Sequence, residues 1–193
     1  MKSLPLFALL FSSTFLFATN HSAHNKELQN IVKQGNKGSK LLIKTLSSQM
    51  KKEMKNGGVM KALHFCSQEA YNLTQQVNKK LPNGVRVKRI SLKYRNPTNK
   101  PAKDETVILE SLQKLQQEHV LLPHHLLQKV NATTYKYYKP ILLNQKVCLK
   151  CHGNIKDTDL KRAIAKQYPV DKAKNYKMGD LRGAVVVTVT HAK

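Results

Sequence analysis

Cys148-Leu149-Lys150-Cys151-His152 is the stretch on which the reading of this chain turns. It has the C-x-x-C-H form that attaches a c-type haem. Two thiols at this spacing can add together to the two vinyl groups of one porphyrin. The histidine that follows them falls under the iron as its proximal ligand. The residues therefore predict one covalent haem c, attached through Cys148 and Cys151 with its iron on His152. A domain of that kind is built around a prosthetic group as well as around side chains. Zinc is the competing use of such cysteines, but it wants two further ligands at a matching spacing. The chain offers one more cysteine, Cys66, far upstream, and scattered histidines. A thioredoxin-like redox pair would need a helix N-terminus in a βαβ setting, which the neighbouring sequence does not supply.

The first residues read as an export signal. Lys2 supplies a positive charge, Leu4 to Phe17 is mostly apolar, and small residues follow at Ala18 and Ala23. The apolar run is shorter than the ~20 residues a spanning helix needs. The expected organisation is a signal peptide over 1–23, cleaved between 18 and 23, and one domain over 24–193. An uncleaved anchor is the alternative, because neither cleavage site is a clean A-x-A. A periplasmic protein with no transmembrane span after processing is the expectation. It agrees with the chemistry, since haem c is attached outside the bacterial cytoplasm.

The chain is strongly basic, with 34 Lys and Arg against 11 Asp and Glu and a net charge of +23. Such a balance raises nucleic acid as a partner. Here the lysines are spread along the chain and no nucleic-acid motif accompanies them, so no nucleic-acid partner is expected. A solvated lysine-rich surface fits better. Docking on an acidic redox or signalling protein, or on an anionic membrane face, is its functional counterpart.

Periodicity and punctuation divide the rest. Residues 24–40, polar and containing Gly35 and Gly38, read as a lead-in that becomes helical near Ser39. A helix over 41–55 ends at Asn56-Gly57-Gly58, and a second runs from Val59 to Lys80 before Leu81-Pro82-Asn83-Gly84. A strand over 85–92 carries Val85 and Val87 on one face, and Arg95 to Asn99 is a loop. Asp104 caps a helix to about Glu118 with Val107, Ile108, Leu112 and Leu115 inward. Pro123 opens a helical turn, and Tyr135 to Leu143 is a tyrosine-rich strand. The C-x-x-C-H motif lies in a loop, and Asp157 or Asp159 starts a helix ending near Tyr168-Pro169. Ala184 to Thr190 is a final strand of core character. Helices first and an antiparallel-looking sheet later predict an α+β domain.

On the helix from Val59, the apolar residues Val59, Leu63, Cys66, Ala70, Leu73 and Val77 fall within an arc of about 80° at roughly 100° per residue. Cys66 is near its middle, and His64 points roughly 160° away from it. Cys66 is therefore a candidate distal ligand, although free cysteines are often simply small buried hydrophobes. Met178, His119, His124 and His125 compete, and spacing does not rank them.

Several segments, in order, resemble one family of exported bacterial mono-haem c-type proteins with a PAS-like fold, long catalogued as a domain of unknown function. They are Ala62, Cys66 and Ala70; Arg89-Ile90-Ser91 with Lys93; Arg95-Asn96-Pro97-Thr98-Asn99; Cys148 to Gly153; and Gly179-Asp180-Leu181-Arg182-Gly183-Ala184. The resemblance covers most of the chain. It departs where an aromatic often precedes the acidic residue after the Arg-Asn-Pro loop, since Lys103-Asp104-Glu105 has none. The resemblance implies a PAS-like antiparallel sheet with long N-terminal helices. It also implies a sensor role, with His152 and Cys66 as axial ligands as in a characterised type. A thiolate stabilises ferric iron and lowers the potential, whereas an electron carrier usually shows Met in that position. Arg89, Arg95 and Arg182 are candidate contacts for the haem propionates. A redox or small-ligand sensor is the leading expectation. The alternative is a small electron-transfer cytochrome docking on an acidic partner. No constellation of distal base and arginine supports a peroxidase, so the chain reads as a non-enzyme.

Overall fold

The run Ala184-Val185-Val186-Val187 is buried throughout, and the reason is topological. A computed structural model describes residues 15–191. In it β4 (Leu181–Thr190) is an inner strand, with β1 (Val85–Ile90) on one side and β3 (Thr134–Leu142) on the other. The short β2 (Leu126–Lys129) lies outside β3, giving the order β1-β4-β3-β2 with every pair antiparallel. An inner strand covered on both faces reads as continuous valine because alternate side chains enter two different cores.

Val185, Val187 and Val189 join Val85, Val87, Tyr135 and Tyr137 beneath two helices, α1 (Phe15–His64) and α2 (Ala70–Lys79). Ala184 and Val186 join Ile90 and Tyr138 beneath Leu109 of α3 (Lys103–Gln117). The expected α+β class is what the chain adopts.

Several local expectations are corrected. Residues 24–40 are helical, part of α1. Ile31, Ser39 and Leu42 are buried there, and Gly35 and Gly38 let the helix approach the sheet. A Cβ on Gly35 would enter the Tyr137 ring, and one on Gly38 would lie 3.3 Å from Val187. These glycines are contacts, not breakers. The break at Asn56-Gly57-Gly58 is a kink within α1, where Gly58 adopts φ 68°. The second helix is not uniform either. A π-helical turn, Phe65–Glu69, separates the end of α1 from α2.

In α3, Val107 is 58% exposed and Leu115 37%, while Glu105, Leu109 and Leu112 face inward. The helix begins one residue before Asp104, with Ala102 as its N-cap. Glu105 turns in because two lysines of the sheet meet it there, Lys88 at 2.8 Å and Lys136 at 3.1 Å. Pro123 opens no helical turn; coil leads from it into β2. The C-x-x-C-H motif is not in a loop but on a short helix, α4 (Lys146–His152). The next helix, α5 (Thr158–Gln167), starts as expected at Asp157, whose side chain accepts from the N–H groups of Asp159 and Leu160. Lys2 and most of the apolar run from Leu4 lie outside the described residues.

This packing can be probed from both sides of the sheet. Gly35→Ala should destabilise the fold by about 1–3 kcal/mol through overpacking against Tyr137. Gly38→Ala should be near neutral, because helix propensity offsets its milder contact. Urea denaturation checks both. The carboxyl of Asp104 is held below its ordinary range first by the hydrogen bond from Lys136. Burial pushes Glu105 upward, but hydrogen bonds from Lys88, the Ala102 N–H and Lys136 outweigh it and hold that carboxyl low as well. Folded values below unfolded ones stabilise at pH above the ordinary carboxylate range, and that contribution is lost as pH falls through the folded values. Lys136→Met should therefore move the acid-unfolding midpoint, followed by circular dichroism, to higher pH.

Candidate functional site

Past Val187 and Val185 on the α1 face of the sheet, the packed core gives way to a cavity of about 300 Å³. Leu42, Leu46, Met50 and Met54 of α1 form one wall, spaced at four-residue intervals on a single helical face. Phe65 and Cys66 come from the π turn, Arg89 from the end of β1, and Arg95 from the following loop. Cys148, Cys151 and His152 come from α4, Tyr168 from the end of α5, and Arg182 and Gly183 from the start of β4. The lining is mostly apolar. All seven residues singled out from the sequence (Cys66, Arg89, Arg95, Cys148, Cys151, His152 and Arg182) meet here. His64, His119, His124, His125 and Met178 do not line the cavity. His64 is exposed, and His125 stacks on Tyr137 instead.

Cys66 is not the buried member of an α-helical stripe. It is exposed, and what it is exposed to is the cavity. The π turn explains the difference. The Ala70 N–H reaches back to the Phe65 carbonyl, five residues away. That widened turn sends Phe65 into the core, where it is 2% exposed, and leaves Cys66 on the cavity side. Its surroundings push the Cys66 thiol up by burial, against the opposing pull of Arg89 and then Arg95. The Cys151 thiol is likewise raised by burial.

His152 is held by its other nitrogen. Nδ1 lies 3.2 Å from the Ala173 carbonyl, which fixes Nδ1–H as donor and leaves Nε2 as a lone-pair donor. Burial, then Arg182 and Arg95, push its pKa well below the ordinary value, so the ring is neutral at pH 7. A neutral imidazole with Nδ1 anchored to a carbonyl is the form that ligates metals.

The three arginines are used differently. Arg95, 7% exposed, donates through Nε to Asp171 at 3.1 Å and through Nη2 to the carbonyls of Cys151 (2.7 Å) and Ala173 (3.0 Å). It thereby ties α4 to the carbonyl that orients His152. Arg182 sits where the β3–β4 register slips, with Ile141 opposite Gly183 and Leu142 opposite Leu181. The bulge turns Arg182 to the cavity rim, where Nη1 donates to Ser91 Oγ at 2.6 Å and to the Lys93 carbonyl at 3.1 Å. Gly183 permits the slip: it has φ 149°, and a Cβ there would strike the Ile90 carbonyl. Arg89 lines the cavity with no hydrogen bond or ion pair among the described residues.

Cys66, Cys148, Cys151 and His152 ring one cavity, yet among the described residues no three His, Cys, Asp or Glu side chains converge as a bare ion would require. The donors stand apart around an apolar space. That arrangement suits a large flat group between them and does not suit a zinc ion.

Comparison with known proteins agrees with this architecture. A family model described as Tll0287-like matches residues 17–190. The chain belongs to the Tll0287-like family. A solved structure, the cyanobacterial heme-protein Tll0287, is 24% identical over 87% of this chain and 97% of that chain, with a TM-score of 0.56. At that identity it shows that the two share a fold. No curated protein matches.

Sequence reading missed several residues that build the site in this Tll0287-like chain. Tyr168 and the pair Met50 and Met54 line the cavity, and Asp171 and Ala173 hold its ligand segment. Asp171 carried a usable signal, being the one acid between Asp159 and Asp180 in a lysine-rich stretch.

Arg95→Leu should cost about 3–5 kcal/mol, because it leaves the buried Asp171 carboxylate without its partner. Arg95→Lys should recover only part of this, since a lysine cannot span Asp171 and two carbonyls in the same fan. Chemical denaturation of the variants measures both.

Proposed function

We propose that this chain is an exported c-type haem protein of PAS-like fold, acting as a redox or small-ligand sensor. The observation that carries the reading is the ring of Cys148, Cys151, His152 and Cys66 around one apolar cavity without convergence on a point. The related cyanobacterial structure is that of a heme-protein, which supports haem as the group that fits. The central position of β4 between the first and third strands supports the PAS-like description. The segment 1–23 is proposed as a signal peptide and the periplasm as the location. Among the described residues no helix is long and apolar enough to cross a membrane.

Each residue has a role in this reading. Cys148 and Cys151, one helical turn apart on α4, hold the two thioether positions. His152 offers Nε2 as the proximal ligand, oriented through Ala173. Cys66 offers its sulfur as the distal ligand from the π turn, and binding there requires loss of its proton. Arg182 and Arg95 stand near the site as cations for the propionates, with Arg95 already largely committed to protein groups. A bound haem would supply an iron that changes its oxidation state and coordination. A sulfur ligand favours the ferric form, and a protonated thiol is a poor ligand. Cys66 would be the residue whose hold on that group depends on its oxidation state. That behaviour suits a sensor, and the reading includes no enzymatic step. The +23 charge favours a second reading, an electron carrier docking on an acidic partner.

The tests are direct. Acid-acetone treatment of purified protein should leave haem with the polypeptide, and the mass should exceed the processed apoprotein by one haem. N-terminal sequencing should find a start between Thr19 and His24. Electron paramagnetic resonance of the ferric protein should show a low-spin thiolate signal. Cys66→Ala should abolish that signal and raise the midpoint potential. If Met178→Ala perturbs the spectrum and Cys66→Ala does not, the electron-carrier reading prevails.

A further inference from the structure

Up to its kink at Gly57 and Gly58, α1 is one uninterrupted helix, and that continuity lines up lysines that look scattered in the sequence. Lys26, Lys33, Lys37, Lys40, Lys44, Lys51 and Lys55 recur at intervals of three, four or seven residues. At roughly 100° per residue they fall within an arc of about 60°, and every position of that arc between 26 and 55 is lysine. The stripe is about 44 Å long at roughly 1.5 Å per residue. All seven are exposed. The buried residues Ile31, Gly35, Leu42 and Leu46 lie on the other side of the helix, against the sheet and the cavity.

Nothing along the stripe offsets its charge. The acids of α1, Glu27 and Glu53, lie off the arc and stand 3.7 Å from His24 and 3.8 Å from Lys61. None of the seven lysines forms an ion pair among the described residues. Like charges three or four residues apart, as in Lys33-Lys37, Lys37-Lys40, Lys40-Lys44 and Lys51-Lys55, destabilise a helix. A face needed only for solvation is better served by alternating signs, which would add stability instead. The stripe therefore acts against the helix that carries it, and its use lies outside the chain.

We propose that this stripe of α1 is a docking surface for an anionic lipid bilayer, with the helix laid along the headgroups. A straight helix meets a plane along one line, and here that line is lysine throughout. Lysines near an anionic membrane surface bind it electrostatically and need no apolar anchor. An acidic protein partner fits less well, because protein interfaces carry aromatic or apolar residues at their centre and the arc holds none. Leu42 and Leu46 reach the cavity from the opposite side of the same helix, so the stripe is separate from the site described above.

The test is co-sedimentation of the full chain with vesicles of phosphatidylcholine, with and without phosphatidylglycerol. The wild type should bind the phosphatidylglycerol vesicles at low salt, ignore phosphatidylcholine alone, and be released by salt. Combining Lys33→Gln, Lys37→Gln, Lys40→Gln and Lys44→Gln should lower the partition coefficient by about a hundredfold or more. Combining Lys103→Gln, Lys114→Gln, Lys161→Gln and Lys166→Gln removes the same charge from exposed positions elsewhere and should lower it far less. The stripe variant should melt no lower than the wild type, since it loses repulsive pairs. If it does not fold, Lys51→Gln with Lys55→Gln, set against Lys161→Gln with Lys166→Gln, gives the same comparison. Equal losses on and off the stripe would overturn the proposal, because net charge alone would then explain binding. So would a wild type that ignores phosphatidylglycerol vesicles, or one that binds polyglutamate or duplex DNA more tightly at the same ionic strength. Protein that binds these vesicles through the stripe but carries no haem would instead overturn the haem reading and leave the docking surface standing.

Discussion

The Arg95 guanidinium holds together three parts of the chain that are far apart in sequence. It lies in the loop after β1 and bonds the last turn of α4 at Cys151, the carbonyl of Ala173 and the carboxylate of Asp171. Ala173 is also the acceptor for His152, and its own N–H donates to Asp171 at 2.8 Å. One buried cation thus sets the position of the motif helix and, at one remove, the tautomer of its histidine. A short helix such as α4 has little stability of its own. Its orientation is borrowed from this clamp.

The sheet and the cavity are one continuous construction. Odd positions of β4 fill the core under α1 and α2 until Val185, and there the side-chain packing stops. The bulge at Arg182 and the close approach at Gly183 end the regular ladder at the same level. The kink at Gly57 and Gly58 and the π turn end the regular helix in the opposing layer. Regular structure is interrupted in both layers where the ligand-type side chains stand, which is where bulges and π turns tend to occur.

Much of this was legible in the sequence. The strands at β1, β3 and β4 follow from valine and tyrosine patterning, and the C-x-x-C-H motif and Cys66 do meet in one cavity. What could not be read depends on tertiary contact. Gly35 and Gly38 carry a low helix propensity, and nothing local shows that Tyr137 and Val187 need the space. Glu105 faces inward only because Lys88 and Lys136 wait on the sheet. The inward turn of Phe65 needs a five-residue helical turn, which a 3.6-residue period does not anticipate. Asp171 and Ala173 are ordinary residues of a lysine-rich loop until Arg95 reaches them from 76 and 78 positions away.

The cavity wall draws on residues from Leu42 to Val185. No contiguous half of the chain contains enough of that wall to enclose a ligand. A peptide bearing Cys148 to His152 alone would keep the motif and lose the methionine wall, the π-turn cysteine and all three arginines. The site is therefore not portable as a segment. Contacts of such sequence separation form late and slowly, so the enclosure closes only after both layers have met.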